Sequence, residues 1–215
     1  MKIKPDLSVY FVADPSACGG RDVVDVVRAA LRGGVALVQY RNKDQSSEQC
    51  LEEARAVLDM CRAANIPCLI NDHVELAAQI DADGVHIGQG DMSAQQARAI
   101  LEPGKIIGIT AFTDAHFAAI NPEIIAYCGT GPVYPTLTDK GKPVMGINRL
   151  ADFVQKSSVP VVGIGGITPE SAPYVFETGA AGVAIMRGIG AADDPEQAAR
   201  AFADIARRHK EKQAA

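Results

Sequence analysis

Five cysteines in 215 residues, odd in number and with no Cys-x-x-Cys spacing, leave no thiol redox motif and no thiolate metal cage in the sequence. Cys18, Cys50, Cys61, Cys68 and Cys128 are therefore expected to be buried and reduced. Positive charge is also short. With 21 Lys and Arg against 26 Asp and Glu, the net charge is −5, so the molecule as a whole has no attraction for nucleic acid or an anionic membrane. A basic residue that matters must act locally. The opening segment MKIKPDLSVYF lacks the long apolar core of a signal peptide, and no apolar run approaches a membrane span. A soluble cytoplasmic protein with no nucleic-acid or membrane partner is the expectation, with a homo-oligomer left open.

What the sequence does have is apolar residues, 47% of the chain, in an alternation that repeats to the end. LSVYFVAD reads as a strand and Asp22 to Leu31 as a helix closed by Gly33-Gly34; VALVQYR is the next strand, before a helix from Ser47 to about Ala64. CLIND, DGVHIGQ and KIIGITAF follow as strands, with helices at Glu75–Gln79, SAQQARAILE and Ala115–Ala119. IIAYCGTGPVY, PVVGIGGI and AGVAIMRGI complete the strands, followed by helices at Ile147–Gln155, Pro169–Phe176 and Pro195 to about Lys210. Eight strand–helix units without a linker predict an α/β fold, a single (β/α)8 TIM barrel over residues 1–215. An open doubly wound sheet is the alternative, but no GxGxxG turn follows the first strand.

In a barrel of this kind the C-terminal strand ends carry the chemistry. Strand two ends in VQYRNKD, where side-chain alternation puts Gln39, Arg41 and Lys43 on one side. Two cations and an amide there suit a phosphate or pyrophosphate, and Lys140 in the loop after strand six adds a third cation. The same residues would also make an ordinary solvated strand end. Asp72 and Asp91 lie at the ends of neighbouring strands with Asn71 beside them; an all-oxygen set suits Mg2+ completed by water and a substrate phosphate. Separately, Asp72 would be a plain helix cap and Asp91 a loop residue. The glycines of GIGGITPE and the strand-eight end form a further candidate phosphate pocket, or else serve close packing alone. His73, His86, His116 and His209 are scattered, with His86 read as a hydrogen-bonded core residue, and no nucleophile or acid–base pair stands out. The pattern points to a transfer whose leaving group is stabilised electrostatically.

Six segments, VQYRNKD, LINDHVELA, ADGVHIGQGDM, GTGPVYPTLTDKGK, VVGIGGITPES and GAAGVAIM, occur in order at one per strand. Together they resemble the thiamine-phosphate synthase family over essentially the whole chain. The resemblance implies transfer of a pyrimidinylmethyl group from hydroxymethylpyrimidine diphosphate to thiazole monophosphate, with release of pyrophosphate. It implies that Gln39, Arg41, Lys43, Asn71 and Lys140 hold the pyrimidine diphosphate, with Mg2+ on Asp72 and Asp91. It also implies that Gly166 and the strand-eight end hold the thiazole phosphate, with Thr136 and Thr138 nearby. Departures are visible. Thr110-Ala111-Phe112 stands where the family carries Ser-Ala-His, which argues against the related tautomerase activity; Asp139 replaces one loop lysine, and Arg187 replaces a serine beside the thiazole phosphate. Two other classes fit part of the pattern. One is a paralogue that binds a phosphate of this pathway without turnover, and the other is a phosphate-binding barrel isomerase.

Overall fold

The computed structural model of the chain describes residues 4–137 and 143–214. Strands Val9–Ala13 (β1), Leu37–Tyr40 (β2), Cys68–Asn71 (β3), Gly84–Ile87 (β4), Ile106–Thr110 (β5), Tyr127–Thr130 (β6), Val161–Ile164 (β7) and Gly182–Ile185 (β8) pair in parallel, in chain order, into a closed barrel. Helices Val23–Gly33 (α1), Ser47–Ala63 (α2), Val74–Gln79 (α3), Ala94–Ile100 (α4), Asp114–Ala118 (α5), Gly146–Lys156 (α6), Ala172–Glu177 (α7), Arg187–Gly190 (α8) and Pro195–Ala214 (α9) follow the strands. The helix starts are written locally. Asp22 accepts the Val24 N–H at 2.7 Å to open α1, and Ser46 with Gln49 closes a reciprocal capping box on α2. Gly34, with φ 95°, ends α1.

Two apolar layers result. Val23, Val26, Val27 and Ala30 recur at helical spacing and turn the inner face of α1 onto the barrel's outer surface. The barrel interior is filled by Tyr10, Val12, Leu37, Leu69, Ile106, Tyr127, Val162 and Ala184. The bulk of Tyr127 is possible because β5 carries Gly108 opposite it. A Cβ built at Gly108 would lie 2.2 Å from the tyrosine ring.

Three boundaries depart from the sequence reading. The eighth strand stops at Ile185, and residues 187–190 coil into α8, closed by Gly190 N–H to Met186 O at 2.7 Å. Arg187 therefore opens a helical turn and does not continue the strand. The helix expected from Pro169 starts at Ala172, because Thr168 to Ser171 close a turn, with Thr168 N–H on Ser171 Oγ at 2.9 Å. The last helix runs on to Ala214, and a 3-10 turn, Pro15–Ala17, follows β1. All five cysteines are free and buried. Among the described residues, no helix is long and apolar enough to cross a membrane.

The glycine at 108 gives a direct test of interior packing. Gly108→Ala is expected to destabilise the barrel by about 1–3 kcal/mol through overpacking against Tyr127, measured by urea denaturation. An unchanged midpoint would show that β5 and β6 can separate without cost.

Candidate active site

At the C-terminal mouth of the barrel lies a cavity of about 380 Å³ whose wall includes Gln39, Arg41, Lys43, Asn71, Asp72, Asp91 and Thr110. These are the residues singled out at four strand ends, now in one place. β2 ends at Tyr40, so Arg41 and Lys43 reach the cavity from the loop beyond it. A second cavity, of about 360 Å³, lies alongside and is bounded by Thr136, Gly166 and Arg187. Ile164, Ala184 and Met186 belong to both walls. Thr138, Asp139 and Lys140 lie outside the described residues.

Charge in the first cavity is arranged as interlocking pairs. Lys43 Nζ lies 3.0 Å from Asp72 Oδ2, and the Arg41 guanidinium is paired with Asp14, a carboxylate only 3% exposed at the end of β1. Asp72 holds a left-handed backbone, φ 60°, which costs energy for a residue with a side chain. Among the described residues the other non-glycine positions with positive φ, Asn65 and Asp81, lie just past the ends of α2 and α3, where such a conformation commonly terminates a helix. Asp72 has no such role. It sits between β3 and α3, where His73 occupies the cap position and the helix start has no side-chain cap bond. The simple helix-cap reading of Asp72 therefore does not hold. Asp91 folds back so that Oδ2 accepts the Gly88 N–H at 2.7 Å. Protein atoms crowding its inner side, followed by a hydrogen bond to Asp72, push the Asp91 carboxyl above its ordinary range. Two carboxylates in contact, only partly offset by one lysine among the described residues, make an oxygen-donor pair suited to a hard divalent cation. Among the described residues no group of three or more His, Cys, Asp or Glu side chains converges, so such an ion would draw its remaining ligands from water or a phosphate.

Beneath the cavity a hydrogen-bonded chain crosses the barrel. Gln39 Nε2 donates to the Tyr10 hydroxyl, which lies 2.7 Å from the Tyr127 hydroxyl; that in turn is 2.8 Å from His86 Nδ1. His86 Nε2 lies 3.0 Å from Thr110 Oγ1. An amide nitrogen can only donate, so Tyr10 accepts at the first link, while the hydroxyls and ring nitrogens beyond it can each donate or accept. Thr110, at the end of the chain, also lines the cavity. Burial holds the imidazole pKa down at about 4, against a weaker opposing effect of Asp91. His86 is thus the hydrogen-bonded core histidine expected from its position in the strand. His73 hydrogen-bonds Ser47 Oγ at 2.9 Å.

The second cavity owes its shape to two glycines. Gly165 and Gly166 have φ of 96° and 65°, and a Cβ on Gly166 would lie 2.3 Å from Pro135 O. That absence of side chains lets the segment after β6 lie on the turn, with Val133 N–H on Ile164 O at 2.9 Å and Tyr134 N–H on Gly165 O at 3.0 Å. Close packing is thus one function of these glycines, and the cavity wall is another. Arg187 is exposed at the rim and forms no salt bridge among the described residues.

Sequence reasoning missed three participants. Tyr10 and Asp14 share an inward face of the first strand by simple alternation, and Tyr127 starts β6 pointing the same way. The legible signal was the acid at the end of FVAD, one strand away from Arg41.

Catalytic-type side chains at the C-terminal mouth of a closed eight-stranded parallel barrel define a (β/α)8-barrel enzyme. The model of the family described as thiamine monophosphate synthase matches residues 9–189, and the chain belongs to that family. The thiamine-phosphate synthase of Bacillus velezensis is 41% identical over 213 residues, covering 97% of this chain and 94% of that protein. That of Roseiflexus castenholzii is 38% identical over 200 residues, covering 92% and 87%. Among solved structures, thiamine phosphate pyrophosphorylase from Pyrococcus furiosus matches with a TM-score of 0.87 at 28% identity, covering 96% of this chain and 98% of that one. The (S)-3-O-geranylgeranylglyceryl phosphate synthase from Thermoplasma acidophilum, at a TM-score of 0.68 and 14% identity, shares the fold alone.

The low pKa of His86 has a consequence for stability. Its folded value, about 4, lies below the ordinary value of 6.5, so the unfolded chain takes up the proton first on acidification. The contribution is complete above pH 6.5 and is lost as pH falls through about 4. His86→Gln is expected to flatten the stability profile between these two values, read from urea unfolding at several pH values. An identical slope in both proteins would contradict an imidazole kept neutral in the folded chain.

Proposed function

We propose that the protein carries out the reaction of a thiamine-phosphate synthase with the two cavities divided between its substrates. Hydroxymethylpyrimidine diphosphate enters the first cavity and thiazole monophosphate the second. The observation that carries this division is the gathering of Gln39, Arg41, Lys43, Asn71, Asp72 and Asp91 around one cavity, with Gly166 and Arg187 around its neighbour.

Asp72 and Asp91 would hold Mg2+, which supplies positive charge to the diphosphate and so makes it a better leaving group. Lys43 releases Asp72 and turns to the diphosphate oxygens, so the pair that now satisfies both groups exchanges partners on binding. Arg41 presents its remaining N–H groups to the same anion, and Lys140 is assigned there by the family pattern. Gln39, Asn71 and the Thr110 hydroxyl orient the pyrimidine. The reaction is dissociative: the methylene C–O bond breaks, its electron pair departs with pyrophosphate, and a pyrimidinylmethyl cation remains. The thiazole nitrogen lone pair then forms the new C–N bond. No proton changes hands in either step, which suits a site without an acid–base pair. Thr136, Thr138, Gly166 and Arg187 fix the thiazole phosphate so that its ring nitrogen reaches the cation over the residues that line both cavities.

Incubation with both substrates and Mg2+ should yield thiamine phosphate and pyrophosphate, followed by chromatography. EDTA is expected to abolish turnover and added Mg2+ to restore it. Full turnover in EDTA would refute the metal assignment, and failure to form thiamine phosphate would refute the activity. Lys43→Ala is expected to weaken capture of the pyrimidine diphosphate by roughly 1.5–3 kcal/mol, the value of one charge-assisted contact; unchanged kcat/KM for that substrate would return the VQYRNKD cations to a solvated strand end.

A further inference from the structure

Asp14 has no place in the carboxylate pair or in the reaction just described, yet among the described residues it is the most buried acid at the barrel mouth, 3% exposed. It lies one residue past β1, as Arg41 lies one residue past β2. The ladder continues for one rung beyond both strands, with Arg41 N–H on Ala13 O at 2.9 Å. Side-chain alternation then turns Asp14 and Arg41 to the same inner face. The two carboxylate oxygens have different partners. Oδ1 accepts from Ser16 N at 2.9 Å and from Ser16 Oγ at 2.6 Å, which caps the Pro15–Ala17 turn. Oδ2 accepts from Arg41 Nη1. Capping the turn needs only the first oxygen, and the second is aimed at the cavity's arginine.

We propose that Asp14 is a positioning residue for the pyrimidine diphosphate, one that fixes the Arg41 guanidinium before the substrate arrives; this rests on the functional reading above. A free arginine side chain samples many rotamers, and anchoring one terminal nitrogen leaves its other donors in a fixed fork. The two cations of the first cavity then behave differently. Lys43, 55% exposed, exchanges Asp72 for the substrate, whereas Arg41, 23% exposed, keeps its buried partner throughout.

Asp14→Asn separates the two tasks. An asparagine has one acceptor oxygen, and satisfying Ser16 N with it turns Nδ2 toward the guanidinium, donor against donor. The turn stays capped and the anchor is lost. The expected result is a KM for pyrimidine diphosphate raised about tenfold, an equal loss of affinity for inorganic pyrophosphate by calorimetry in Mg2+, and an unchanged KM for thiazole phosphate. In an Arg41→Ala background the same substitution should add nothing, because the residue it acts through is gone. Unchanged pyrophosphate affinity, or losses that multiply in the double variant, would overturn the proposal and leave Asp14 as a turn cap. If Asp14→Asn does not fold, the unaltered protein still decides the matter by NMR. Slow guanidinium rotation at Arg41 without added ligand supports the anchor, and free rotation contradicts it. A chain that forms no thiamine phosphate at all would contradict the function. Normal substrate capture in the variant would contradict only this role for Asp14.

Discussion

Closure of the parallel ladder between β1 and β8 is the constraint on which the site depends. Val9, Tyr10 and Phe11 pair with Val183, Ala184 and Ile185, so the first and last strands of the chain become neighbours. Residues 174 positions apart in the chain then become neighbours in one rim. Without that last seam, the β1 and β2 ends with Asp14 and Arg41 would have no fixed relation to Met186 and Arg187. The wall common to the two cavities, Ile164, Ala184 and Met186, comes from β7 and β8 and the residue just beyond, directly beside the seam.

Onto this frame the sequence places more charge than an isolated barrel needs. Asp72 is held in an unfavourable backbone conformation against Asp91, and among the described residues Lys43 offsets the pair. The arrangement is poor for stability and suited to a ligand that brings both positive and negative charge, since each member can then trade its present partner for a better one. Below it, the hydrogen-bonded chain from Gln39 to Thr110 is neutral, so the floor of the cavity presents hydroxyl and amide groups without adding net charge. A charged rim over a neutral, ordered floor fits a substrate with a diphosphate at one end and a heterocycle at the other.

Much of this was legible in the sequence, and the parts that were not share a physical cause. Alternation in VQYRNKD placed Gln39, Arg41 and Lys43 on one face, and one-per-strand spacing brought Asn71, Asp72 and Asp91 to the same mouth. Those inferences needed only local periodicity and the closed barrel. Tyr10, Tyr127 and Asp14 were not foreseen, because their importance comes from partners 117 and 27 residues away, and no local pattern marks an aromatic or an acid as part of a crossing chain. The strand-eight end was misread for a related reason. MRGIG is short and apolar enough to continue a strand, and the backbone of Met186, φ −109° and ψ −84°, turns it into helix. The glycines at 165 and 166 were read as a phosphate pocket, and in the structure they also seat the chain segment that follows β6.

The division of the two phosphates between neighbouring cavities is tested most directly at Arg187, on the rim of the second. Saturation curves for both substrates on Arg187→Ala would separate the cavities. The expected result is a KM for thiazole phosphate raised by about tenfold or more, the loss of one charge-assisted contact, with the KM for pyrimidine diphosphate nearly unchanged. A defect confined to pyrimidine diphosphate would mean that the two substrates occupy the opposite cavities.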